Sequence, residues 1–174
     1  MKIIETDRLI LRPFRHGDQQ AMFDSWTSDE QVAKWCRWYA HRDISDTEAL
    51  LEMYLNEAEN SFPYRWAITL KGEDKPVGCI DIVDMVEDKS FCEIGYVISR
   101  RLWGQGLMTE TVKAVMEELF RCGFEKVIAA CKTDNTGSRR VMEKSGMTFV
   151  KEGIYQEKFG SDKTIPVLYY EIKR

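Results

Sequence analysis

The chain has 174 residues, with 25 Lys and Arg against 29 Asp and Glu and a formal net charge of −4. Hydrophobic residues make up 44% and charged residues 31%, which supports one folded domain over residues 1–174 and argues against disorder. No broad basic stripe and no apolar run of membrane-spanning length is present, so neither nucleic acid nor a membrane is an expected partner.

Five cysteines, Cys36, Cys79, Cys92, Cys122 and Cys131, include no C-x-x-C pair, and the only histidines are His16 and His41. No metal site is expected from that set. Reduced, mostly buried thiols in a cytoplasmic protein are the expectation. The segment Met1–Asp7 lacks the apolar core of a signal peptide.

In chain order, Ile3 to Phe14 reads as a strand. Helices are expected from Asp18 to Trp26 and from Asp29 to Trp38. Ser45 with Glu48 forms a capping-box pattern opening a helix through about Ala58. Three strands follow, Tyr64–Lys71, Val77–Val83 and Phe91–Ser99, joined by short polar turns as an antiparallel meander. From Leu107 a helix carries Val112, Val115, Met116, Leu119 and Phe120 on one face and ends at Gly123. Val127–Thr133 is a strand, Asn135–Ser145 a helix closed by Gly146, and Thr148–Tyr155 and Ile165–Ile172 are the last strands. The strand–helix–strand unit from Phe91 to Thr133 predicts a right-handed crossover and a parallel strand pair. The fold class is therefore α/β, with a mixed sheet and helices on its faces.

The segment Arg101-Leu102-Trp103-Gly104-Gln105-Gly106-Leu107-Met108-Thr109 joins a strand to a helix. A glycine turn opening a helix leaves backbone N–H groups unpaired at the positive end of the helix dipole, which suits a phosphate. A P-loop needs Gly-Lys-Ser/Thr, but Leu107 and Met108 follow Gly106. A dinucleotide fingerprint needs a third glycine and an acidic residue ending the next strand, and that strand ends in Lys132-Thr133-Asp134.

Arg101-x-x-Gly104-x-Gly106, preceded by Ile94-Gly95-Tyr96-Val97-Ile98, resembles the acetyl-CoA signature of the GNAT superfamily of N-acetyltransferases. The run Asn135-Thr136-Gly137-Ser138-Arg139-Arg140-Val141-Met142-Glu143-Lys144-Ser145-Gly146 is similar to a pattern of its ribosomal-protein-alanine acetyltransferase branch. The opening Glu5-Thr6-Asp7-Arg8-Leu9-Ile10-Leu11-Arg12 agrees with that branch. The resemblance implies a mostly antiparallel sheet whose one parallel strand pair splays apart to admit a pantetheine arm. Val97 and Ile98 would pair with that arm through their backbone. The N–H groups of Gln105, Gly106, Leu107, Met108 and Thr109 would hold the pyrophosphate, with Gly104 shaping the turn. Asn135 would contact the cofactor, Arg101 and Arg140 would meet its phosphates, and homodimers are common among relatives.

Amine acetylation needs a proton acceptor for the incoming ammonium and a partner for the departing thiolate. Glu93, in the strand leading to the cofactor, is the candidate base; the alternative is a pair with a neighbouring Arg or Lys. Many relatives protonate the thiolate with a tyrosine, but that position holds Met142. In the ribosomal-protein branch a serine lies near the sulfur, and Ser138 matches it, the alternative being a plain helix-face hydroxyl. Asn135 also suits a helix cap. Trp26, Trp35, Trp38 and Tyr39 are candidates for the acceptor pocket, or else core. Cys92 beside Glu93 reads as buried rather than nucleophilic. The expected function is direct acetyl transfer from acetyl-CoA to a primary amine, of a protein N-terminus or a small molecule. The rival is a non-catalytic acetyl-CoA-binding regulatory module, which the methionine at position 142 permits.

Overall fold

The computed structural model describes residues 2–60 and 64–174. The first strand is divided. β1 (Ile4–Glu5) and β2 (Leu9–Arg12) pair antiparallel, Ile4 opposite Leu11. The continuous strand expected from Ile3 to Phe14 is broken because Thr6 closes a turn. Its N–H donates to the Leu9 carbonyl at 3.0 Å, and its hydroxyl accepts from the Leu9 N–H at 3.1 Å.

The first helical stretch matches its expected span, and the second is shorter than expected. α1 (Gln19–Met22) widens into a π-helical turn over Phe23–Thr27, which ends where the Ser28 hydroxyl donates to the Phe23 carbonyl at 2.6 Å. α2 covers only Glu30–Ala33, capped by Asp29. It stops short of Trp38 because a tertiary cation competes for its carbonyls. Lys158 Nζ donates to the carbonyls of Ala33, Cys36 and Trp38 at 2.6, 2.9 and 2.8 Å. α3 (Ile44–Asn60) starts two residues earlier than the Ser45 cap predicts. Its cap is Asp43, which accepts from the Ser45 N–H at 2.9 Å while Asp46 reaches back to the Asp43 N–H.

β3 (Arg65–Leu70), β4 (Pro76–Met85) and β5 (Cys92–Ile98) form the expected meander. α4 (Leu107–Arg121), β6 (Lys126–Lys132), α5 (Thr136–Lys144), β7 (Thr148–Gln156) and β8 (Thr164–Lys173) complete the chain. The strands make an eight-stranded sheet in the order β1-β2-β3-β4-β5-β6-β8-β7. β5 and β6 are parallel, as the crossover predicts, and the other neighbours are antiparallel.

Two apolar clusters pack on the sheet. Val112, Val115 and Leu119 of α4 join Cys92, Ile94 and Ile98 of β5 in the larger. Phe14, Met22, Trp26, Val32 and Leu51 form the smaller with Ala67 and Cys79, and Val97 packs against it. The two-residue alternation of β5 thus divides its side chains between the sheet's faces.

A buried ion pair fixes the entry to α1. Arg12 grips both Asp18 carboxylate oxygens at 2.8 Å each, and the two residues are 7% and 3% exposed. The remaining guanidinium donors reach the Asp74 carboxylate, the Asp74 carbonyl and the Pro13 carbonyl. Truncating one partner strands a buried charge. Asp18→Ala is expected to cost about 3 kcal/mol in urea unfolding. A loss below about 1 kcal/mol would mean the pair behaves as a surface bridge.

Candidate functional site

The glycine turn is built as a donor surface. After a short 3-10 turn over Arg100–Leu102, Gly104 and Gly106 take φ of 75° and 77°, in the left-handed region where a Cβ is strained. Gly106 occupies the N-cap position of α4. From Gly104 to Thr109 no backbone N–H donates to another described residue.

Arg8 holds this turn from outside. It donates to the Gln105 carbonyl at 2.9 Å and to Glu110 Oε2 at 2.7 Å. The other Glu110 oxygen takes the Arg8 N–H at 2.9 Å and the Thr6 hydroxyl at 2.6 Å. The turn between β1 and β2 is thereby tied to the first turn of α4. Arg8 lies in the opening motif, yet its partner Glu110 carries no signal in the sequence, since the contact spans about a hundred residues.

Beside the turn, β5 and β6 come apart. They pair only at Cys92–Val127, Glu93–Ile128 and Ile94–Ala129, although β5 runs on to Ile98 and β6 to Lys132. Val97 and Ile98 lie beyond the last paired residue. Ile98's carbonyl is engaged by Trp103 Nε1 at 3.0 Å. On the other side Gly78 lets β4 close up, because a Cβ there would lie 2.4 Å from the Val97 carbonyl oxygen.

Glu93 sits at the base of this split. A bulge in β4 at Val83 faces it, where the register slips between Ile82 and Asp84, a device that re-aims neighbouring side chains. Glu93 has no Arg or Lys ion-pair partner among the described residues; the Tyr155 hydroxyl of β7 donates to it. Burial lifts its carboxyl above the ordinary 4.5; the Tyr155 bond pulls it down, Asp84 pushes it up, and Arg37 pulls it down. Cys92 next to it is fully buried, and burial pushes its thiol up to about 12. It is no nucleophile.

Ser138 meets a residue that the sequence reading overlooked. Its hydroxyl lies 2.8 Å from the Tyr96 hydroxyl, which also donates to the Ser138 carbonyl at 3.2 Å. Burial keeps the Tyr96 phenol protonated well above its ordinary range. Asn135 caps α5, accepting from the Ser138 N–H at 3.0 Å, so the cap fixes the serine backbone. Met142 is wholly buried. A phenol therefore does enter this region, but from β5 rather than from α5.

Arg101 and Arg140 are exposed and free of ion pairs among the described residues. The four aromatic candidates separate. Trp26 is 2% exposed inside the smaller cluster and is a core residue, because the π-helical turn points it at the sheet. Trp35 lines a cleft of about 550 Å³ with Lys132 and Lys158. Trp38 packs partly on the smaller cluster and faces His41 at 5.9 Å. Tyr39 is 69% exposed, with Lys158 Nζ 5.4 Å from its ring centroid.

With a split parallel pair, a glycine-capped helix at its mouth and a half-buried carboxylate at its base, the chain belongs to the acetyltransferase (GNAT) domain family, whose pattern matches residues 8–148. It is 30% identical over 159 residues to the uncharacterised N-acetyltransferase YoaA of Bacillus subtilis, covering 89% of this chain and 86% of that protein. A GNAT-family acetyltransferase from Bacillus anthracis superposes with a TM-score of 0.83 at 26% identity, covering 99% and 98% of the two chains. RimL, a ribosomal L7/L12 α-N-protein acetyltransferase solved with coenzyme A, shares the fold with a TM-score of 0.81 at 17% identity over 99% and 98%.

The Tyr155–Glu93 bond has a measurable consequence. Donation to a carboxylate favours its charged form, so Tyr155→Phe is expected to raise the Glu93 pKa further. Carbon-13 NMR titration of the carboxyl reads this, and an unchanged or lower value would show that the bond does not act on the charged form.

Proposed function

We propose that the chain is an acetyl-CoA-dependent N-acetyltransferase that passes acetyl directly to a primary amine within a ternary complex. The observation that carries this reading is the row of unpaired N–H groups from Gly104 to Thr109 at the mouth of the β5–β6 split. A diphosphate suits those donors at a helix N-terminus. An extended amide-bearing arm suits the open edge of β5 at Val97 and Ile98. Arg101 and Arg140 are available for the remaining phosphates. The shared fold with the coenzyme A complex of RimL lends support, and the five free cysteines suit a reducing, cytoplasmic setting.

The acceptor amine must lose a proton to attack the thioester carbon. The C–S bond then breaks and CoA leaves as thiolate. Glu93 takes that proton, directly or through one water, and burial makes it a stronger base than an ordinary carboxylate. The Tyr96–Ser138 hydroxyl pair meets the thiolate and supplies a proton or hydrogen bond. With Tyr96 present, the methionine at position 142 no longer favours a purely regulatory role. Much of the acceleration comes from holding amine and thioester together.

Thiol release from acetyl-CoA in the presence of amine pools and N-terminal peptides tests this. Glu93→Gln is expected to lower kcat by roughly 10²- to 10⁴-fold with acetyl-CoA binding kept. Undiminished turnover would place the base elsewhere. Failure of the wild-type protein to bind acetyl-CoA would remove the reading altogether.

A further inference from the structure

Arg37 acts on Glu93 only through its charge, and its hydrogen-bond donors have no task in the chemistry proposed. Its backbone is fixed tightly. The Phe159 N–H donates to its carbonyl at 2.7 Å, and Lys158 ties down the carbonyls of Cys36 and Trp38 on either side. Its guanidinium carbon lies 4.9 Å from the Tyr155 ring centroid and 4.4 Å from that of Phe159. Stacking on two rings orients the planar fork without using its donors.

Those donors find nothing in the protein. Nε is buried with no hydrogen-bond partner, and no hydrogen bond or ion pair joins the guanidinium to a described residue. Burying the Nε donor with no partner is costly, and a guanidinium has no acceptor of its own to offset it. Arg139 also has a buried Nε without a hydrogen bond, but that nitrogen lies 3.8 Å from a Glu143 carboxylate oxygen, and two further arginines are fully paired. Arg12 is satisfied by Asp18 and Asp74, and Arg65 by Asp81 and Glu57. Arg37 is also next to the reacting centre, since the Tyr155 ring beneath it carries the hydroxyl bound to Glu93. The nearby lysines are already occupied: Lys158 by three carbonyls, and Lys132 by the Lys34 carbonyl at 2.6 Å.

We infer that Arg37 is the anchor for a carboxylate on the acceptor, so that the acceptor is a small zwitterion with its amine at Glu93 and its carboxylate on the guanidinium fork. This rests on the acetyltransferase reading of the site. Arg37 stacks on the Tyr155 ring whose hydroxyl meets Glu93, and an amino acid likewise carries its amine and its carboxylate close together. A carboxylate matches the fork with two parallel hydrogen bonds. The N-terminal residue of a protein has its carboxyl locked in a peptide bond and offers Arg37 no charge.

The test compares the proteinogenic amino acids with their carboxamides and with N-terminal peptides. Wild-type kcat/KM is read by thiol release, and binding by thermal shift in the presence of CoA. Amino acids are expected to exceed their amides by roughly 10- to 100-fold in kcat/KM, the worth of charge-assisted hydrogen bonds, and to be the class that stabilises the protein. Arg37→Gln is expected to collapse that ratio, and Arg37→Lys to keep part of it. Because the comparison of acceptors uses the wild-type protein, a folding defect in either variant does not blunt it. Peptide or amide turnover without amino-acid preference, or no thermal shift with amino acids, would overturn the inference while leaving acetyl transfer standing. Amino-acid binding without acetyl transfer would count against the function and not against Arg37.

Discussion

The incomplete pairing of β5 with β6 governs the rest of the molecule. Parallel strands in a closed sheet would hydrogen-bond along their whole length, and here the ladder stops after Ile94–Ala129. Beyond that point the backbone of β5 faces an opening rather than a neighbour. Each element at the site borders this opening: the glycine turn at its mouth, Glu93 at its base, and the Tyr96–Ser138 hydroxyls across it. A gap in a ladder is costly unless the freed groups find a partner, and this need underlies the proposal that a strand-like cofactor arm lies there.

The opening is held by contacts between distant parts of the chain. On one side Arg8 and Glu110 lock the turn between β1 and β2 to the glycine turn. On the other, Lys158 and Phe159 from the β7–β8 connection hold the segment after α2, and Arg37 with it. The cleft wall is therefore irregular backbone whose polar groups are satisfied by tertiary donors rather than by helix. That arrangement is firm enough to present side chains at fixed positions, as a reaction dependent on proximity requires.

Much of this was legible in the sequence, and the remainder has a common physical cause. α4 was readable because it buries one regular face, α5 because Asn135 and Gly146 bound it, and the strands from Arg65 to Ile98 because apolar runs alternate with short polar turns. So was the glycine turn, because left-handed backbone and a free helix start leave a local signature. The misreadings lie where a distant residue overrides local preference. α2 ends early because Lys158 takes its carbonyls. The first strand breaks because Thr6 closes a turn that Glu110 secures. For Trp26, left between pocket and core, the π-helical turn decides for the core. Tyr96, Tyr155 and Arg37 escaped notice because their roles come from contacts across 42 to more than 100 positions, which no spacing rule encodes.

The central claim is that the split and the turn together form the acetyl-CoA site. Amide hydrogen exchange with and without acetyl-CoA tests it most directly. Protection concentrated at Val97–Ile98 and at Gln105–Thr109 is the predicted result. Unchanged exchange at both segments, with acetyl-CoA bound elsewhere or not at all, would contradict the account.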